Sequence, residues 1–133
     1  MATILIVEDE IIIRKDIKQT LKGLGYSVVG EATEGEQAIR LAHELHPDLV
    51  MMDIALKGEM SGVEAATTIQ QQEHVPVVFL TGHSDQAART EAERAHPYGY
   101  LLKPFRAMDI MNVVELALLK RKAERPGNAL VNS

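Results

Sequence analysis

Four short apolar runs in this chain end on residues that could do chemistry. TILIV (3–7) leads into Glu8, Asp9 and Glu10, and DLVMM (48–52) into Asp53. VVFL (77–80) leads into Thr81 and Gly82, and the run 98–102 into Lys103 and Pro104. Carboxylates crowded together repel one another and raise each other's pKa unless a cation intervenes. An oxygen-only cluster that leaves room for water is what Mg2+ prefers. A lysine beside it adds a second positive charge without filling the metal site, and a hydroxyl can hydrogen-bond an anion. A carboxylate nucleophile, a metal and donors for the equatorial oxygens are the parts of phosphoryl transfer. The reading requires a fold that carries the four run ends to one place.

The rest of the pattern supplies such a fold. Between the runs lie stripes at helical spacing. Residues 10–22 place Ile13, Ile17, Leu21 and Leu24 on one side, and Gly23 and Gly25 stop that helix. Residues 34–45 place Ala38, Leu41, Ala42 and Leu45 at i, i+3, i+4 and i+7, and Pro47 closes the element. Residues 63–73 carry Val63, Ala66 and Ile69, and a final helix runs from 105 to about 123. The stretch 84–95 has mainly alanines as its apolar content, so its helix is predicted to be the least firmly anchored. With YSVVG (26–30) as a further run, strands and helices alternate strictly.

Alternation implies parallel strands joined by right-handed crossovers. Runs that are apolar throughout imply helices on both faces. The expected class is α/β, a doubly wound five-stranded parallel sheet of flavodoxin-like order 2-1-3-4-5. Its switch point lies between the first and third strands, and ligands bind outside the carboxyl ends there. In that order three carboxylates converge at one crevice, with Thr81 and Lys103 beside them.

Composition narrows the function further. A chain of 133 residues with 46% hydrophobic and 25% charged residues reads as one globular domain. It is expected over residues 1–124, with a frayed tail at 125–133. The absence of cysteine excludes disulfides and thiol chemistry. A net charge of −5, 4% aromatics and no Trp argue against a nucleic-acid partner. No apolar run reaches the roughly 18–20 residues of a membrane span. MATILIVEDE lacks the basic start and long apolar stretch of a secretory signal, which points to the cytoplasm.

ILIVEDE, MMDIAL, FLTGHS and YLLKPF, each at a predicted strand end, resemble the receiver domain of two-component response regulators. The resemblance is to chemotaxis-regulator-like receivers and covers residues 3 to 123. It implies that Asp53 is the phospho-accepting nucleophile, giving an aspartyl phosphate. Glu8 and Asp9 would be the acidic pair holding Mg2+, with the carbonyl of Ala55 completing the protein's ligands. Thr81 would be the switch hydroxyl and Lys103 its lysine partner. Pro104 would follow a cis peptide bond, and Tyr100 would be the aromatic switch that turns inward as Thr81 moves. The phosphoryl donor would be a sensor histidine kinase or phosphotransfer protein. The output would be a downstream protein bound on the face of helix 84–95, strand 98–102 and the last helix.

There are departures from the family pattern. The loop from Asp53 to Gly62 is one residue longer than usual, with Lys57 where proline is frequent. Ala55 and His83 occupy the positions that tune phosphoryl lifetime.

Plainer readings stand beside these. Asp9 could cap the first helix, Thr81 could be a turn residue, Lys103 a surface lysine and Tyr100 a packing residue. The histidines at 43, 46, 74, 83 and 96 show no metal-ligand spacing with an acidic partner and read as surface residues. Two other functions compete. A Mg2+-dependent phosphohydrolase with an aspartate nucleophile would want a general-acid Asp at position 55, where alanine stands. A flavin-binding module would want a Ser/Thr/Gly-rich turn where Glu8-Asp9-Glu10 stands. The expectation is therefore a switch rather than an enzyme. On the final helix, Ile110, Val113, Val114 and Ala117 share the core arc at about 100° per residue. Met108, Leu116 and Leu119 fall opposite, as a candidate interface for a second copy or a target.

Overall fold

The computed structural model describes residues 1–124, so the expected frayed tail at 125–133 lies outside the described residues. Eleven elements follow in order: β1 (Thr3–Val7), α1 (Ile11–Gly23), β2 (Ser27–Ala32), α2 (Gly35–Leu45), β3 (Leu49–Asp53), α3 (Gly62–Glu73), β4 (Val77–Thr81), α4 (Gln86–Ala92), a 3-10 turn (Glu93–Ala95), β5 (Gly99–Leu102) and α5 (Ala107–Ala123). The strands form one parallel sheet in the order β2-β1-β3-β4-β5. This is the architecture that the alternating pattern implies.

Successive strand side chains point to opposite faces, and both faces are buried. Leu5, Val7, Val50, Met52, Val77 and Phe79 pack with α2, α3 and the α4 region. Ile4, Ile6, Met51, Val78 and Leu80 pack with Ile17 and Leu21 of α1 and Ile110, Val114 and Ala117 of α5. Runs apolar on both sides are what such a double layer demands.

Four elements differ from expectation in ways that bear on the site. β3 and β4 each run one residue further, so Asp53 and Thr81 are the last strand residues and not the first loop residues. The ladders cause this: Asp53 pairs with Leu80, with the Ile54 N–H donating to the Leu80 carbonyl at 3.0 Å, and Thr81 pairs with Leu102 of β5, with the Lys103 N–H donating to the Thr81 carbonyl at 2.7 Å. β2 starts later and ends later than YSVVG, reaching Ala32, because the end of β1 pairs with it there. The single helix expected over 84–95 is a seven-residue α4 followed by the 3-10 turn. Ala92 is the buried residue of α4, in line with its predicted weak anchoring.

The loop after β3 is held at its far end by a capping box. Ser61 Oγ accepts from the Glu64 N–H at 3.1 Å, and Glu64 Oε1 accepts from the Ser61 N–H at 3.3 Å. The longer loop turns through Gly58 at φ 109°. At Gly62 an added Cβ would lie 2.3 Å from the Asp53 carbonyl oxygen, so only glycine permits α3 to start this close to the strand end. The Lys103–Pro104 peptide bond is cis, as the resemblance implies.

Candidate functional site

Five polar side chains meet at the carboxyl ends of β1, β3, β4 and β5. Glu8 is fully buried just after β1. Its N–H donates to the Ala32 carbonyl at 3.0 Å, and its Oε2 accepts from the Glu10 N–H at 3.1 Å. Asp53 is 3% exposed, and its Oδ1 accepts from the Ala55 N–H at 3.0 Å. Lys103 Nζ lies 3.1 Å from Glu8 Oε1 and 3.6 Å from Asp53 Oδ1. Thr81 is fully buried at the end of β4.

The electrostatics follow from that crowding. Burial pushes the Glu8 carboxyl up to about 7, and the neighbouring Asp53 adds to the rise. The Glu10 N–H and Lys103 pull the other way without overcoming it. Lys103 also loses water on burial, which disfavours its charge. The Asp53 and Glu8 carboxylates outweigh that loss and hold its pKa above the usual lysine range.

The donor set fits a divalent cation. One carboxylate oxygen from each of Glu8, Asp9 and Asp53 lies within 4.8 Å of the others. Among the described residues, Glu8 Oε1, Asp9 Oδ2 and Thr81 Oγ1 are buried without a hydrogen-bond partner. Lys103 Nζ lies close to Glu8 Oε1, but that contact is an ion pair and not an aligned hydrogen bond. Buried oxygens left without donors are costly unless a cation or an incoming group completes them. All three donors are hard oxygens, which suits Mg2+.

The plainer reading of Asp9 does not hold. The N-cap of α1 is Glu10, and no side chain caps that end. Glu10 is exposed and offers its backbone to the site, so it is not a member of the cluster. The Ala55 side chain is exposed, and the Ala55 backbone is tied to Asp53 through its N–H.

Tyr100 is partly buried with its ring stacked on Phe79, 6.1 Å between centroids. Its hydroxyl donates to Glu93 Oε1 at 3.2 Å, and the Arg89 guanidinium sits 4.9 Å from the ring centre. The side chain is thus tied toward α4 and the 3-10 turn. Glu93 and Arg89 were not legible as parts of this contact, because nothing in their spacing marks a partner on β5. On α5, Ile110, Val114 and Ala117 are buried and Val113 partly so, while Met108, Leu116 and Leu119 are exposed. All five histidines are exposed, as expected. The expectation that His43 and His46 lack an acidic partner needs correction. Glu73 of α3 brings its carboxylate to 2.9 Å from His43 Nδ1 and 3.9 Å from His46 Nδ1. A tie across 30 residues depends on α2 packing on α3 and leaves no local signal.

A doubly wound parallel sheet with a buried aspartate, an acidic pair and a lysine at its switch point carries the parts of an α/β phosphoryl-transfer site. Comparison with known proteins makes the assignment definite. Residues 4–115 match the response regulator receiver domain family. The transcriptional regulatory protein PdtaR of Mycobacterium tuberculosis is 41% identical over 116 residues, covering 86% of this chain and 56% of that protein. The chemotaxis protein CheY of Thermotoga maritima is 34% identical over 115 residues, covering 84% of this chain and 95% of that protein. The solved receiver domain of a modulated diguanylate cyclase from Desulfovibrio desulfuricans superposes with a TM-score of 0.90 at 36% identity, over 94% of this chain and 99% of that one. The chain belongs to the response regulator receiver domain family, the phospho-accepting switches of two-component signalling. It spans about half the length of several curated relatives it matches, PdtaR among them. No helix among the described residues is long and apolar enough to cross a membrane.

Proposed function

We propose that residues 1–124 form a receiver in which Asp53 takes a phosphoryl group from the phosphohistidine of a sensor histidine kinase or phosphotransfer protein. The observation that carries this is the buried Asp53 carboxylate, held between Lys103 and the Glu8–Asp9 pair. One Asp53 oxygen attacks phosphorus and the P–N bond breaks. The imidazole leaves with the electron pair and takes up a proton, leaving an acyl phosphate on Asp53. Glu8, Asp9, Asp53 and the Ala55 carbonyl would hold Mg2+, which supplies charge neutralisation for the phosphoryl oxygens when bound.

Lys103 supplies a fixed positive charge beside the acceptor, and the unpartnered Thr81 hydroxyl is free to donate to a phosphoryl oxygen. An apolar groove lined by Ile12, Ile13, Pro104 and Phe105 opens beside Lys103 and offers the donor protein a surface next to the acceptor. Phosphorylation adds a charge of about −1.5 to −2, which draws Thr81 and frees space for Tyr100 to turn inward from Glu93. The readout lies on the α4–β5–α5 face, where Met108, Leu116 and Leu119 offer an apolar stripe to a downstream protein or a second copy. Ala55 stands where a phosphohydrolase would place its general acid, so the domain acts as a switch with no substrate turnover of its own. A kinase donor places it in the cytoplasm.

The test is incubation with a small-molecule phosphodonor and Mg2+, read by intact mass. The wild type should gain one phosphoryl group and Asp53→Asn none. A phosphoryl gain in Asp53→Asn would overturn the assignment.

A further inference from the structure

Phosphotransfer as just described makes no use of Arg14. This residue lies near the start of α1, and its side chain is only 17% exposed. Its Nη1 donates to the backbone carbonyl of Glu8 at 2.9 Å, and its Nε donates to Glu31 Oε1 on β2 at 3.1 Å. Lys18, one turn further along α1, donates to the other Glu31 oxygen at 2.9 Å. The hydrogen bond from Lys18, with support from Arg14, holds the Glu31 carboxyl below its ordinary range, so the tether is an ionised one.

These contacts converge on one peptide. The N–H of Glu8 is fixed by the carbonyl of Ala32, and its C=O is fixed by Arg14, which is anchored on the adjacent residue, Glu31. The end of the edge strand therefore grips Glu8 from both sides, once directly and once through Arg14. The Glu8 carbonyl belongs to the planar unit that joins Glu8 to Asp9. Fixing that plane fixes ψ of Glu8 and the places of the Asp9 N and Cα, and so where the second carboxylate starts relative to the first. The usual device for ordering such a turn, a side-chain N-cap, is missing at Glu10.

We infer that Arg14 is a positioning residue that sets the Glu8–Asp9 pair for a divalent cation. The inference rests on reading the acidic cluster as the metal centre of the phosphotransfer site. Electrostatics and positioning predict opposite signs. Removing a cation near a cation site tightens metal binding by Coulomb's law alone, whereas removing an outer support that orients the ligands weakens it, by about ten-fold or more.

The experiment uses Mn2+ as the probe, with free Mn2+ followed by electron paramagnetic resonance, alongside metal-free melting. Arg14→Ala is expected to bind Mn2+ about ten-fold more weakly. Arg14→Lys should recover part of the loss, since an ammonium cannot reach the carbonyl and Glu31 as one planar fork. Glu31→Gln keeps Arg14 but loosens its anchor and should weaken binding less than Arg14→Ala does. In phosphodonor assays the Arg14→Ala rate should recover at saturating Mg2+, so that the half-saturating concentration moves and the limiting rate does not. Mn2+ binding in Arg14→Ala that equals or exceeds the wild type overturns the inference. If Arg14→Ala does not fold, wild-type binding in both Arg14→Lys and Glu31→Gln overturns it instead. Asp9→Ala separates the two levels. If it too binds Mn2+ like the wild type, the metal reading itself has failed.

Discussion

Lys103 Nζ sits closer to Glu8 than to Asp53, the proposed acceptor, at 3.1 Å against 3.6 Å. The lysine is thus shared between the two carboxylates, and the Asp53 charge does most to hold it protonated, with Glu8 adding to it. A 3.1 Å cation would normally pull a carboxyl down. That Glu8 is nevertheless pushed up to about 7 shows burial and the Asp53 charge prevailing.

A pH dependence follows. Glu8 binds its proton more tightly folded than unfolded, so its contribution is fully present below the ordinary value of 4.5 and is lost as pH rises through about 7. The loss is on the order of 3 kcal/mol. Melting without divalent metal should fall between about pH 4.5 and 7 more steeply in the wild type than in Glu8→Gln. Saturating Mg2+ should flatten the wild-type fall, because the metal replaces the proton. An equal slope in both proteins would place the titration elsewhere.

Metal linkage gives a second outcome. Binding only to the native state adds about 1.4 kcal/mol when Mg2+ is ten times its Kd. The wild type should melt higher with Mg2+, and Asp9→Ala should respond much less. Asp9→Ala should also melt higher than the wild type without metal, since one member of a repelling set has gone. Equal Mg2+ responses would count against the site.

The tie between Tyr100 and Glu93 makes the readout measurable. Few apolar contacts hold α4, whose buried residue is Ala92, and such segments open locally at low cost. Amide exchange across Gln86–Ala95 should change on phosphorylation as Tyr100 leaves Glu93. Thr81→Ala should accept the phosphoryl group and lose that change. Persistence of the change in Thr81→Ala would mean that the coupling runs by another route.

The stripe on α5 can be tested by charge. Replacing Leu116 and Leu119, which are 56% and 63% exposed, by Glu should leave melting within about 0.5 kcal/mol of the wild type. Phosphorylation should be unaffected while self-association, read by sedimentation with and without phosphodonor, is lost. Monomers in all samples would mean that the stripe belongs to another partner or to nothing.

The site was legible because each apolar run stops at a polar residue that the sheet then aligns. Glu8, Asp9, Asp53, Thr81 and Lys103 all follow from strand ends and strand order. What was hidden depends on contacts between elements. Asp53 and Thr81 belong to their strands only because the β3–β4 and β4–β5 ladders continue past the last apolar side chain of each strand. Arg14 meets Glu31 across 17 residues, and His43 meets Glu73 across 30, so neither pair leaves a periodic trace. The break between α4 and the 3-10 turn arises in an alanine-rich stretch too weakly patterned to mark its own ends.

The two buried layers on either side of the sheet share no side chain. Substitutions on opposite layers therefore have few partners in common and should combine additively. This gives the molecule a kind of insulation. The side carrying α1, beside the groove next to Lys103, can diversify to favour one donor over another while the side carrying α4 keeps its mechanical properties. The insulation covers only the α4 part of the output face, because α5 packs in the same layer as α1 and feels changes made beside the donor groove.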